Sequence, residues 1–244
     1  LATPTISLDS AISNASAGVT ATTLGQFLNV GTVGGTTYTN PDSLTVTASC
    51  FVDEWKDQSG NANHAQQTVF KDQPQIHSGT VNTDLFTENG KPIIKNSGAS
   101  LSNNCLEISS LSFSTNNWGF GVCLVDQTFS AWIEGPTAND FVLLAQSGSG
   151  SSAHSGVSGV SLYKDASTWS ATSRSNVYTD LLNNQSLVVA NWSSSSWTSF
   201  NLGYPSSDSV EMHPMQEFVL WTTDRSFFRT GIETNINGFF SIYP

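Results

Sequence analysis

"WGFGVCLV", residues 118–125, alternates bulky and small side chains. Successive Cβ atoms of a strand point to opposite faces, so Trp118, Phe120, Val122 and Leu124 share one side, with Gly119, Gly121 and Cys123 behind them. The same period of two recurs in "FSAWIE" (129–134), "FVLLAQ" (141–146), "VSGVSLY" (157–163), "SLVVANW" (186–192) and "EFVLW" (217–221). It is also present earlier, where Leu44, Val46, Ala48 and Cys50 oppose Thr45, Thr47 and Ser49. Between these runs lie Gly, Ser, Asn and Pro clusters such as "SGSGSSAHSG", which are turn and loop chemistry. Many short strands with regular breaks predict an all-β, two-sheet β-sandwich or jelly roll.

One segment departs from this period. In "TDRSFFRTGIETNIN" (223–237) the apolar Phe228, Ile232 and Ile236 recur every four residues. The spacing predicts one short C-terminal helix, capped by Thr223 or Asp224 and ended by Gly238. "FFSIYP" (239–244) then reads as a closing strand. No internal repeat or dividing linker is present. Residues 1–40 are the least regular and read as an arm or first strands, with the sandwich over 41–244.

Of the 244 residues, 38% are hydrophobic, including 7 Trp and 14 Phe, enough for a full core. Only 11% are charged, so Ser, Thr, Asn and Gln must make the polar surface, as in extracellular or sugar-facing β-proteins. A net charge of −11 with 8 basic residues and no basic run gives no footprint for nucleic acid, and an anionic membrane would repel the chain. No apolar run approaches the roughly 20 residues of a membrane-spanning helix. "LATPTISLDS" lacks signal-peptide regions and an initiator Met, so the chain reads as a processed or trimmed product. Cys50, Cys105 and Cys123 show neither close pairing nor zinc spacing; one disulfide and three buried thiols both stay open, with the usual burial of cysteine favouring thiols.

"WKDQSGNANHAQQ" (55–67) is the most distinctive polar stretch. In a metal reading Asp57, Asn61 and Asn63 are hard oxygen ligands for Ca2+, completed by Ser59 or backbone carbonyls. In a structural reading Trp55 anchors the core and Asp57 accepts backbone N–H groups across the Ser59-Gly60 turn. The spacing is irregular and one carboxylate is central, which favours the turn.

Glycoside hydrolysis needs two converging carboxylates. Asp53 and Glu54 are adjacent and face opposite ways in a strand. Glu134, Asp140, Glu211, Glu217, Asp224 and Glu233 are dispersed, and Glu233 pairs naturally with Arg229 one helical turn away. His64, His77, His154 and His213 lie in turn-like or polar contexts, with no nucleophile elbow or phosphate loop nearby. Sugar binding is better served, because carbohydrates are gripped by aromatic faces, amides and hydroxyls. "NWSSSSWTSFNLGY" (191–204) offers Asn191, Trp192, Trp197, Asn201 and Tyr204, and Trp169 and Tyr178 lie in a second polar stretch. Exposure decides between this and a core role for the tryptophans.

Two segments together resemble a known family. "WKDQSGNANHAQQTVFKDQPQI" with "NGKPIIKNSGASL", and the ending "EFVLWTTDRSFFRTGIETNINGFFSIYP", are similar to laminin G-like jelly rolls of the concanavalin A-like superfamily. Trp55, Asp57, Gln58, Ser59, Gly60, Asn61, Gln73, Pro74, Gly90, Lys91 and Pro92 occupy the family's motif places. The combination resembles domains of tail, fibre and head-decoration proteins of bacterial viruses, and more distantly the catalytic domain of arabinofuranosidase B. The arginine-rich run of that enzyme is missing here, and the first arginine is Arg174.

The resemblance implies a non-catalytic, lectin-like module on a bacteriophage virion surface, as head fibre, capsid decoration or tail-associated protein. Its implied partners are other virion proteins, further copies of itself and host surface glycans. It implies no cofactor, with Ca2+ at the turn left open. The alternatives are a secreted glycoside hydrolase and a ligand-free structural module docked on other virion proteins.

Overall fold

The computed structural model describes residues 51–69, 72–77, 86–96, 105–109, 111–137, 139–194, 197–203 and 211–244, with the backbone of a few short strands before them. The chain divides into two units, one of residues 1–50 with 77–85, the other of 51–76 with 86–244. In the first, β1 (Thr20–Leu24) pairs antiparallel with β4 (Ser43–Thr45), and β2 (Thr32–Val33) with β3 (Thr36–Thr37). β5 spans Cys50–Phe51. The remainder of the expected N-terminal arm lies outside the described residues.

The second unit holds two larger sheets. The seven-stranded sheet runs β14 (Phe141–Gln146), β13 (Phe129–Glu134), β18 (Phe200–Gly203), β11 (Cys105–Ile108), β7 (Ala65–Gln66), β6 (Glu54–Trp55). Its remaining strand, β19 (Glu211–Met212), lies parallel to β13. The five-stranded sheet runs β16 (Ser167–Trp169), β15 (Ser158–Lys164), β17 (Ser186–Ser193), β12 (Asn117–Cys123), β20 (Met215–Trp221). All its pairings are antiparallel. β8 spans Gln75–His77, and β9 (Thr87–Glu88) turns into β10 (Lys91–Pro92). That turn places Asn89 and Gly90 at φ of 48° and 71°, the left-handed pair a two-residue hairpin requires. The all-β sandwich expected from period-two alternation is present.

The sheets meet face to face over one core. Trp132 of β13 is fully buried and packs edge-on against Phe218 of β20, with ring centroids 6.0 Å apart. Phe200 of β18 meets the same Phe218 at 5.7 Å. Burying such side chains contributes about 1.5–3 kcal/mol each. The small side of β12 makes this possible: a Cβ on Gly121 would lie 2.7 Å from Trp132 Nε1. The large side, Trp118, Phe120 and Val122, faces away from the second sheet. There it packs with Leu187, Val189 and two helical residues, Ile236 and Phe240. At β12 the five-stranded sheet is therefore apolar on both faces.

Two helices complete the unit. α1 (Arg174–Leu181) was not expected from the sequence; Ser173 and Asn176 form its capping box, and Val177 and Leu181 enter the core. α2 (Arg229–Phe240) is the expected helix with different ends. Asp224 organises the preceding turn by accepting the Ser226 N–H at 2.8 Å. Gly238 lies inside the helix, which stops at Ser241 with φ 54°. Phe239 and Phe240 are helical and the last four residues form no strand, so the expected closing strand is absent. Asn237 holds this tail: its Oδ1 accepts the N–H groups of Ile242 and Tyr243 at 2.8 and 3.0 Å.

Candidate functional site

A cleft of about 330 Å³ opens at the β15–β16 edge of the five-stranded sheet. The hairpin turns through Asp165 and Ala166, both left-handed, which sets Trp169 opposite Leu162. Trp169 is half-buried, and its indole N–H donates to Asp180 Oδ2 on α1 at 2.7 Å. His154, Val160, Tyr163 and Leu162 line the cleft with Trp169, interleaved with hydroxyls of Ser161, Thr168, Ser170 and Thr172. Burial pulls the His154 imidazole below its usual range, which favours the neutral form, and its Nδ1 is shielded with no hydrogen-bond partner. The lining is aromatic and hydroxylic and carries no carboxylate or ammonium. Such a surface suits an uncharged ligand with one apolar face and many hydroxyls.

Of the sequence candidates, Trp169 alone lines this cleft. Tyr178 sits on α1 and packs half-buried against the core. Trp192 and Trp197 are 1% and 2% exposed, which corrects the expectation that they form a binding surface. Trp192 donates to Ser194 Oγ at 3.0 Å, and Trp197 meets Phe113 edge-on at 5.6 Å. Asn191 donates to Asn117 O at 2.9 Å within the sheet. Tyr204 lies outside the described residues.

Asn201 pairs with Glu107 on one side and Glu134 on the other, so two carboxylates flank it across three strands. Glu107 is exposed, but Glu134 is fully buried. A substrate reaching one would not reach the other, so this row lacks the open pair that glycoside hydrolysis uses.

The Asp57 loop is a hydrogen-bonded turn. Oδ1 accepts the Ser59 N–H at 2.7 Å, and Oδ2 accepts the Ser59 hydroxyl at 2.8 Å and the Asn63 N–H at 2.9 Å. These bonds hold the carboxyl below its usual range. Asn61 Nδ2 donates to Ser59 Oγ at 2.9 Å. His64 Nδ1 closes the loop by accepting the Asp57 N–H at 3.0 Å. Of the expected Ca2+ ligands, Asp57 enters the turn through both carboxylate oxygens, Asn61 through its amide nitrogen and Asn63 through its backbone N–H.

A different group escaped sequence reading. Burial raises the Asp126 and Glu211 carboxyls above their usual range; the charge of Asp126 raises Glu211 further, and a hydrogen bond from Asn96 opposes that rise. Their wide separation in sequence gave no local motif to detect.

No match is found for this chain among protein-family models, curated proteins or solved structures.

Proposed function

We propose that the chain is a non-catalytic surface module of a bacterial virus particle that binds host glycans through the Trp169 cleft. The observation that carries the binding part is the cleft itself, with an aromatic face, a neutral imidazole and four hydroxyl side chains within about 330 Å³. A pyranose ring stacks on an indole and exchanges hydroxyl hydrogen bonds, and neither interaction needs charge. The viral part rests on the resemblance carried by the Trp55–Asn61 and Arg229–Asn237 motifs. Single sites of this size bind weakly, and several copies on one particle would multiply the effect.

A second reading is favoured by three exposed phenylalanines. Phe227, Phe228 and Phe239 are 90%, 57% and 61% exposed around α2, and such aromatics suit docking onto a neighbouring virion protein. One experiment separates these readings from hydrolysis: incubation of the purified chain with host-envelope polysaccharides, measuring both retention and new reducing ends. Retention lost in Trp169→Ala is the expected result. No retention of any glycan leaves the docking module, and chain-dependent reducing ends overturn the non-catalytic reading.

A further inference from the structure

The exposed face of α2 works against the helix's own stability. Phe228, Gly231, Asn235, Gly238 and Phe239 recur at i, i+3, i+7, i+10 and i+11, so they share one side, opposite the buried Glu233, Ile236 and Phe240. All five are exposed. Phe228 holds the N-cap, where Ser, Thr, Asn or Asp would bond a free N–H, and its side chain makes no such bond. Gly231 and Gly238 lie inside the helix, where glycine is a weaker helix former than alanine. Neither has a positive φ, and among the described residues a Cβ on either would meet nothing within 4 Å. The chain's own backbone and packing therefore give no reason for glycine at these two places. Phe227 and Phe228 meet edge-on with ring centroids 5.2 Å apart at one end of the face. At the other end Phe239 lies under the Lys91 ammonium at 4.1 Å.

Local choices that oppose the element carrying them mark places that something outside the element uses. Two rings with bare backbone between them let another helix come close along the middle. Charge selects which one. Residues 222–244 carry two acids, Asp224 and Glu233, and two bases, Arg225 and Arg229, so the whole net charge of −11 lies on the rest of the chain. The five face residues are uncharged, and the buried Glu233 is paired with Arg229. Two copies of so acidic a chain repel over most of their surfaces, and on this face they meet without that repulsion. The pattern is also self-complementary. A two-fold axis near Thr234 and Asn235 runs two antiparallel helices past each other, sets Gly231 against Gly238 of the second copy, and turns the aromatics at each end toward those at the other. We propose that α2 is the contact face of a homodimer of this chain, closed by Phe227, Phe228 and Phe239 of both copies. The proposal gives the exposed aromatics of the docking reading a second copy as their occupant. It does not depend on the Trp169 cleft, although a dimer would carry two such clefts.

The test is sedimentation of the whole chain across a concentration series, in low and in high salt. The expected result is a monomer–dimer equilibrium with a Kd of about 10–100 µM, the strength of a small interface. Salt at about 0.5 M tightens it, because screening removes the repulsion between the acidic remainders. Gly231→Ala combined with Gly238→Ala raises the melting temperature of the dilute monomer and weakens dimerisation at least tenfold. A helix face with only a structural role would show the first effect without the second. Phe228→Ser behaves in the same way, since serine caps the helix while the ring is lost from the contact. Trp169→Ala leaves the Kd unchanged, so failure of glycan retention does not touch this result. Should the double glycine variant fail to fold, Phe228→Ser carries the test. A monomer at every concentration up to about 1 mM in high salt overturns the proposal and leaves the face to another protein. So does a dimer whose Kd is unchanged in Phe228→Ser and in the glycine variant, or one lost in Trp169→Ala.

Discussion

Gly121 on β12 and Trp132 on β13 share one volume between the two sheets: a Cβ on the glycine would lie 2.7 Å from Nε1 and 2.8 Å from Cζ2 of the indole. Trp132 is fully buried and also meets, edge-on, Phe218, the residue beside Gly121 on β20, so the ring has little room to retreat. Gly121→Ala therefore forces the sheets apart locally. The expected cost is about 1–3 kcal/mol, against a gain of less than about 1 kcal/mol from the stiffer unfolded chain. Urea unfolding measures it. A variant as stable as the parent would show that the sheets pack differently here.

The alternation in 118–125 was enough to place the strand at Asn117–Cys123, but not to say which face meets which neighbour. The structure gives the large side chains to α2 and the glycine side to Trp132. Sidedness depends on partners distant in sequence, and a period of two carries no information about them. α1 was hidden because its start is a Ser173–Asn176 capping box and only Val177 and Leu181 are buried. Gly238 was a poor stop signal because the chain turns three residues later, where Asn237 bonds the tail. For the site, aromatic type pointed equally to Trp169, Trp192 and Trp197, and exposure alone separated them.

The Arg229–Glu233 pair gives a second test. Arg229 Nη1 lies 2.7 and 2.8 Å from the two Glu233 oxygens, and the Glu233 side chain is 1% exposed. Burial raises the Glu233 carboxyl and Arg229 opposes that rise. Arg229→Met leaves a buried acid without its partner and is expected to cost about 2–4 kcal/mol near neutral pH, less than a fully enclosed pair because the Arg229 side chain is 22% exposed. Replacing both residues, Arg229→Met with Glu233→Leu, should recover most of the loss. The single variant's deficit should shrink as pH falls, because a protonated Glu233 no longer needs the guanidinium. Paired urea titrations at neutral and acid pH read both effects.

His213 predicts the acid limb of stability. It is fully buried, its Nε2–H donates to Ser130 O at 3.2 Å, and burial lowers its pKa to about 4. The unfolded imidazole titrates near 6.5, so between about pH 6.5 and 4 the unfolded state binds the extra proton. Stability rises with pH through that window and is lost on acidification, by up to about 3 kcal/mol. Asp126, Glu211, Glu217 and Glu233 are raised by burial and act with the opposite sign. Comparison with His213→Gln isolates the histidine: the variant starts less stable at pH 7, and the gap closes as pH falls to 4. A constant gap would overturn the assignment.

Cys105 and Cys123 are buried free thiols. Burial pushes Cys105 up to about 12 and raises Cys123 as well, which withholds the reactive thiolate from both. The native chain should leave these two unlabelled by a thiol reagent at pH 8 and yield them after unfolding. Peptide mapping of the labelled cysteines provides the count. Rapid native labelling of Cys123 would contradict its place beneath the five-stranded sheet.

The Trp169–Asp180 hydrogen bond links the cleft to α1, and it separates recognition from folding. Asp180 Oδ2 accepts the indole N–H at 2.7 Å, so the carboxylate fixes the ring plane on which a sugar would stack. Asp180→Asn keeps a side-chain oxygen acceptor and should hold glycan retention near the parent level. Asp180→Ala removes the acceptor, and retention should fall several-fold although every cleft-lining side chain is still present. Trp169→Ala removes the stacking face and should reduce retention at least tenfold, at a stability cost of about 2 kcal/mol because the ring is only half-buried. The order parent, Asp180→Asn, Asp180→Ala, Trp169→Ala is what indole positioning requires. Equal retention across all four proteins would place any glycan contact elsewhere on the surface.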